Sequence, residues 1–428
     1  MAKYSEMSRN ELKDLFQRLW ADYHKVQEKH LTLDMSRGKP GPEQLNLSLG
    51  MLDVLSGGAD LKSESGMDCR NYGGLEGIPE ARRLFAQMLE IDPSETIIGG
   101  NSSLSMMYDA VARAMMHGVA EQSEPWSHQP LKIKFLAPCP GYDRHFAICD
   151  YFHIDLIPVA MTPEGPDMEF VEKAVASDPG IKGIWCVPKY SNPQGYTYSD
   201  NTVRRFARLK PAASDFRIFW DNAYCVHDLT EKSDHLLNLM TECKKVGSED
   251  MLYMFASTSK ISFSGAGVAV MAASAANVKY ICDCMSVQTI SYDKLNQLRH
   301  IRFFHDLDGV KAHMKKHTAI IKPKFDLVIE KLRPLKEEGI ATFTEPKGGY
   351  FISLDTLNGC AKEVVRLCAL AGVKLTAAGA TYPGGKDPKD SNIRIAPTYP
   401  PLDELERAAD LLCMAIRIAS VEYYLSTK

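Results

Sequence analysis

No two of the 11 cysteines stand in C-x-x-C spacing; they are scattered from Cys69 to Cys413. Cys282 and Cys284 are too close together for a tetrahedral metal site. Neither zinc nor a disulfide framework is therefore indicated, and the usage fits a reducing cytoplasm. No apolar run reaches the length of a membrane span, and the N-terminus mixes charges of both signs without the apolar core of a signal peptide. Positive charge is not in excess. A formal net charge of −4 argues against a protein that works by neutralising nucleic-acid phosphates. Internal repeats and low-complexity tracts are missing too. His313 and His317 stand one helical turn apart in H-M-K-K-H, but no acidic residue lies between them as in H-E-x-x-H. A solvated helix face is expected there, and no metal.

What remains is a globular chain of 428 residues, 45% hydrophobic and 24% charged, long enough for two or three domain-sized cores. Helical spacing is plain over Ser8–Lys29, where Leu12, Leu15, Phe16, Leu19 and Trp20 form one apolar face, and again from Leu104 to Met115. A βα rhythm follows. Apolar runs at Lys132–Pro138, Gly183–Val187, Phe216–Trp220, Met251–Ala256 and Gly267–Ala272 read as strands, with helical segments such as Thr202–Leu209 between them. That alternation predicts an α/β fold with a mostly parallel sheet flanked by helices, whose ligands bind at the carboxyl ends of strands. After about residue 305 the texture becomes that of a smaller α+β unit. It opens with a helical pattern over Asp308–Leu332 that Pro323 is expected to kink or break.

The polar residues just past those strand ends are Asn192 in S-N-P-Q-G, Asp221 and Tyr224 in D-N-A-Y, and Lys260 in S-T-S-K. A lysine at a strand end suits a Schiff base, and the hydroxyls of Ser257 and Ser259 beside it suit a phosphate. Asn101, Ser102 and Ser103 open a helix, which places donors where an anion is favoured, although plain capping also explains them. Tyr142, just after the Lys132–Pro138 run, could lie flat on a ligand or be an ordinary tyrosine. Arg37 and Lys39 flank Gly38 in S-R-G-K-P, facing either a carboxylate or solvent. Together these groups match pyridoxal phosphate: an amine for its aldehyde, Asp221 for its ring nitrogen, Asn192 and Tyr224 for its phenolate, Tyr142 for its ring, and Ser102, Ser103, Ser257 and Ser259 for its phosphate.

S-N-P-Q-G, D-N-A-Y and S-T-S-K, in that order, resemble the three signature segments of the fold-type I pyridoxal-phosphate-dependent aminotransferases. With S-R-G-K-P near the start and N-I-R-I-A-P near the end, the resemblance covers nearly the whole chain. It implies a large cofactor-binding domain over 56–310, a C-terminal small domain over 311–428, and an N-terminal arm over 1–55 that joins the small domain. It implies that Lys260 holds the cofactor and then shuttles the substrate's proton, that Arg394 grips the substrate α-carboxylate, and that the backbone of Gly38 closes over it. Tyr72 in N-Y-G-G resembles a tyrosine that reaches the neighbouring subunit's phosphate, which implies a homodimer in the cytoplasm. One departure is plain: Gly267 and Val268 stand where most of the family has an arginine paired to the phosphate. The G-A-G-V pattern and the S-R-G-K-P turn resemble a bacterial aspartate-aminotransferase-like subgroup. The implied reaction passes an amino group between an amino acid, aspartate first, and a 2-oxo acid such as 2-oxoglutarate. Arg37, Lys39, Lys294, Arg299 and Arg302 are all candidates for the substrate's second carboxylate. The same cofactor also serves β-lyases and racemases. A non-catalytic ligand-binding regulator would need an extra N-terminal DNA-binding unit, for which the chain before S-R-G-K-P is too short.

Overall fold

A computed structural model describes residues 3–427; the extreme ends of the two outer domain assignments, residues 1, 2 and 428, lie outside the described residues. In chain order the strands are β1 (Leu33–Asp34), β2 (Thr96–Ile98), β3 (Lys134–Cys139), β4 (Asp155–Thr162), β5 (Gly165–Pro166), β6 (Ile181–Cys186), β7 (Arg217–Asp221), β8 (Leu252–Ser257), β9 (Ala269–Ala273), β10 (Ala341–Phe343), β11 (Ile352–Thr356), β12 (Val373–Lys374) and β13 (Asn392–Ile395). One sheet has eight strands in the order β2-β9-β8-β7-β6-β3-β4-β5. Its centre, β8-β7-β6-β3-β4, is parallel, while β9 returns antiparallel between β2 and β8.

Alternation along the central strands builds two cores. Leu136, Ile184, Ile218, Trp220 and Met254 point to one face, and Phe135, Trp185, Phe219, Tyr253 and Phe255 to the other. Each face is covered by helices, so these strands are buried on both sides and carry no polar stripe. β4 is the strand its own sequence conceals, because Pro158 interrupts the apolar run. It sits next to the sheet edge, pairing with β3 along its length and with β5 only at Met161 and Thr162, and there a missing N–H is tolerated.

A further core gathers the two ends of the chain. Leu12 and Tyr23 of the Arg9–Gln27 helix pack with Val364 and Leu367, with Ile416 and Val421 of the Leu402–Thr427 helix, and with the antiparallel sheet β10-β11-β13. Ser8 caps the first helix through a reciprocal capping box with Glu11. The expected break at Pro323 does not occur: a single helix runs over Leu307–Glu337 with Pro323 and Pro334 inside it. Ile321, Phe325, Val328, Leu332 and Leu335 are all buried along that helix. Burial of about 2 kcal/mol per large apolar side chain outweighs the roughly 3 kcal/mol cost of an internal proline.

The solvated face expected for His313 and His317 is also overturned. They are 5% and 0% exposed, on the side of this helix that meets the end of β8. His313 Nε2 lies 2.9 Å from the Ile261 carbonyl, His317 Nε2 lies 3.1 Å from His313 Nε2, and Gln44 Nε2 lies 3.1 Å from His317 Nδ1. Their neighbours Lys315 and Lys316 do face solvent, and that alternation of polar residues hid an inward-turned pair. Among the described residues no cluster of histidine, cysteine or carboxylate side chains could hold a metal ion, and no helix is long and apolar enough to cross a membrane.

Candidate active site

Asp221 ends β7, Ser257 ends β8, and Tyr142 and Asn192 follow β3 and β6, so the parallel strands deliver them to one end of the sheet. Asp221 is 3% exposed. One of its oxygens, Oδ2, lies 3.0 Å from His145 Nε2; the other, Oδ1, is buried with no hydrogen-bond partner among the described residues. His145 is itself stacked on Trp185, with ring centroids 4.5 Å apart and an interplanar angle of 11°, and meets Tyr142 edge-on. A buried carboxylate oxygen without a donor costs about 1–3 kcal/mol, so this geometry calls for a cationic N–H in front of Asp221.

Lys260 lies beyond the end of β8, its Nζ 5.0 Å from the Tyr224 ring centroid and 5.8 Å from that of Tyr350. Desolvation pulls the amine below its ordinary pKa of 10.5, against the opposing pull of the Asp221 charge. Tyr224 is buried and its ring stacks on Tyr350. Burial first, and then the nearby charge of Asp221 and the phenol of Tyr142, drive the Tyr224 phenol well above its usual range. Burial and the Asp221 charge push the Tyr142 phenol up to about 12. Both phenols therefore remain hydrogen-bond donors at neutral pH.

The hydroxyls form one cluster. Ser257 Oγ donates to Ser259 Oγ (3.0 Å), and Ser259 Oγ donates to the Asn101 carbonyl (3.1 Å). That contact places S-T-S-K against the start of the Ser103–His117 helix, where Ser102 Oγ accepts from the Leu104 amide. The start of that helix and these hydroxyls lie side by side, an arrangement that favours an anion.

Arg394, on β13, is buried to 8% exposure. Its Nη1 donates to Asp143 Oδ1 (2.7 Å) and Asn192 Oδ1 (3.4 Å), whereas its Nε is buried without a partner. That unpaired group leaves part of the guanidinium fork free for a carboxylate. The guanidinium lies 5.0 Å from the centre of the Phe351 ring, and a Cβ added at Gly38 would come 2.3 Å from Phe351 Cζ. A glycine at position 38 is therefore what lets the S-R-G-K-P turn approach the Phe351 ring this closely. Tyr72 is 79% exposed.

Several residues of the site escape a reading of the sequence alone. His145 sits one helical turn after Tyr142, which was the available signal. His300, Tyr350 and Gln44 surround the Lys260 turn from distant segments and carry no local signature, while Ser262, a further hydroxyl the sequence offers for the phosphate, turns instead to Thr258 and His300. Tyr350 Oη accepts from Gln44 Nε2 (2.9 Å) and reaches the Lys260 carbonyl at 3.5 Å.

Residues 7–428 match the family model described as aspartate amino-transferase. An aspartate aminotransferase of Corynebacterium glutamicum is 40% identical over 433 residues, covering 99% of this chain and all of that protein. The crystal structure of an aspartate transaminase from the same organism is similar with a TM-score of 0.95 at 39% identity, covering 98% of each chain. An α-aminoadipate aminotransferase of Thermus thermophilus, complexed with N-(5'-phosphopyridoxyl)-L-leucine, shares the fold at 16% identity, with a TM-score of 0.73 over 92% of this chain and 93% of that one. A desolvated amine and a half-paired aspartate at the strand ends are thus carried by a sequence and a fold that agree over nearly the whole chain, and the chain belongs to the aspartate aminotransferase family, within the fold-type I class of pyridoxal-phosphate-dependent aminotransferases.

Proposed function

We propose that the protein binds pyridoxal phosphate between Lys260 and Asp221 and transfers the amino group of an aspartate-like amino acid to a 2-oxo acid such as 2-oxoglutarate. The observation that carries this reading is Asp221 Oδ1, buried without a partner while Oδ2 is held by His145. A protonated ring nitrogen satisfies it; none of the described residues does. When bound, the cofactor supplies an aldehyde and an electron-accepting ring that stabilises negative charge at the substrate's α-carbon.

The residues divide that work. Asp221 keeps the ring nitrogen protonated, and His145 orients Asp221. Asn192 and the Tyr224 phenol donate to the ring oxygen, Tyr142 lies against the ring, and Ser102, Ser103, Ser257 and Ser259 hold the phosphate. Arg394 binds the α-carboxylate through the part of its fork that Asp143 leaves open, and Gly38 closes over it. The Lys260 amine, already favoured in its neutral form by desolvation, takes the α-proton at Nζ and returns it to the neighbouring carbon. Aspartate is favoured as donor by the 40% identical Corynebacterium protein of that name. Tyr72, too exposed to serve its own chain's site, supports a homodimer in which it reaches the partner's phosphate.

The test is a half-reaction screen. Yellow holoprotein is mixed with each common amino acid, and loss of the imine absorbance is followed together with release of the oxo acid. Aspartate is expected to react fastest, and Lys260→Ala to abolish the change. Protein that stays colourless when given the cofactor, or a Lys260→Ala variant with full turnover, overturns the proposal.

A further inference from the structure

The turn that carries Lys260 is gripped from behind. Ser259 donates to the Asn101 carbonyl and Ser257 to Ser259, whereas Thr258 between them is 3% exposed and turns the other way, toward the Lys294–Phe304 helix. There it meets His300, itself 1% exposed. His300 Nδ1 lies 2.7 Å from the Asn296 carbonyl. A carbonyl cannot donate, so Nδ1 carries the proton and Nε2 is left as an acceptor. The two groups within reach of Nε2 are Ser262 Oγ at 2.8 Å and Thr258 Oγ1 at 3.2 Å, and these hydroxyls are 3.0 Å from each other. Thr258 is bound twice to the returning strand, through its own N–H to the Val268 carbonyl (2.8 Å) and through Oγ1, which accepts from the Val268 N–H (2.9 Å). Asn296 Nδ2 donates to the Gly267 carbonyl (2.7 Å) from the same helix. A Cβ at Gly267 would sit 3.0 Å from Thr258 Oγ1, so the loop is pressed onto this cluster.

We propose that His300 is a positioning residue for the Lys260 turn: its Nε2 gathers the Thr258 and Ser262 hydroxyls and so fixes Ser257 and Ser259 in the anion cradle and Lys260 above it. The proposal rests on the cofactor assignment made above. It reaches beyond ordinary core packing because the residues on either side of Thr258 are those that face the ligand. A His300 that merely filled space would tolerate any side chain of similar volume. One that acts through Nε2 discriminates between the two amides, since glutamine carries its amide near the Nε2 position and asparagine near Nδ1.

The experiment compares His300→Gln and His300→Asn holoproteins with the unaltered holoprotein by two readouts: the rate at which pyridoxal phosphate leaves on transfer to cofactor-free buffer, and the pH midpoint of the imine absorbance. Loss of one buried hydrogen bond is expected to speed release about tenfold in H300N, equivalent to about 1.4 kcal/mol, and to move the midpoint. H300Q is expected to stay within about threefold of the parent with its midpoint unmoved. Equal losses in both variants, or none in either, overturn the inference. Ser262→Ala, which keeps the histidine and removes its nearer donor, repeats the test should H300N not fold: release about tenfold faster supports the assignment, and unchanged release overturns it. If the unaltered protein takes up no pyridoxal phosphate at all, the cofactor assignment fails instead, an outcome distinct from either of these.

Discussion

Asp221 is only half satisfied by its surroundings: one oxygen is held by His145 and the other is buried and bare. Asp221→Asn preserves the shape and removes the charge. Preorganised charge of this kind is worth about two to three orders of magnitude in rate, so kcat is expected to fall by about that factor while the variant still folds. A kcat within about threefold of the parent would sink the assigned role. Gly38 offers a second test at the same scale. The added Cβ of Gly38→Ala meets the Phe351 ring beside Arg394, and displacing that guanidinium is expected to raise KM for the amino acid about tenfold or more, while the overpacked ring costs about 1–3 kcal/mol of stability. Steady-state kinetics across amino-acid concentrations decide it, an unchanged KM counting against a role for the turn in closing over substrate.

The Leu307–Glu337 helix shows what an element adds to its residues. Its inward histidines tie it to the Lys260 turn and to Gln44, far apart in sequence. Desolvation by burial, reinforced by the charge of His313, pushes His317 down to about 4 from 6.5. The unfolded chain therefore binds the proton at pH values where the folded one does not, and stability falls as the pH drops through that window. For His317 alone the loss is roughly 2 kcal/mol by pH 5, and it is regained above about pH 6.5. His317→Asn, which keeps an acceptor for Gln44, is expected to lose less urea stability than the parent between pH 7.5 and 5. An identical loss in both proteins would mean that His317 does not titrate in this way.

The elements that a sequence reveals are those with a period or a punctuating motif. β6, β7 and β8, the first helix and the polar residues past each strand end were legible because buried parallel strands are apolar throughout and ligand groups cluster at their ends. β4, the unbroken proline-bearing helix and the buried histidines were not legible. Each depends on what packs against it, a strand partner for Pro158 and a core for Pro323, and no local pattern encodes that. The same holds within the site. Lys260, Asp221, Asn192 and Arg394 lie in recognisable motifs, whereas His145, His300 and Tyr350 acquire their places only when remote segments meet.

At the scale of the whole molecule, the surface carries more than the monomer explains. Tyr72 is 79% exposed and Val287 91%, with Met116, Tyr151 and Ile290 also open. Large apolar side chains in solvent mark an interface when they lie together, and Tyr72 belongs to the loop that leans on the buried Lys294, whose Nζ donates to the Asn71 carbonyl. The protein is expected to sediment at twice its 47.7 kDa chain mass. Tyr72 allows a sharper test than mass. If it completes the partner's phosphate cradle, Tyr72→Ala and Lys260→Ala chains are each impaired alone, yet a mixed dimer regains one intact site, with Lys260 from one chain and Tyr72 from the other. Co-expression under two affinity tags and purification of the mixed species is expected to restore up to about half of the parent's activity per dimer, the share of one site in two. If Tyr72 instead serves the chain that bears it, both sites of the mixed dimer remain defective and mixing restores nothing.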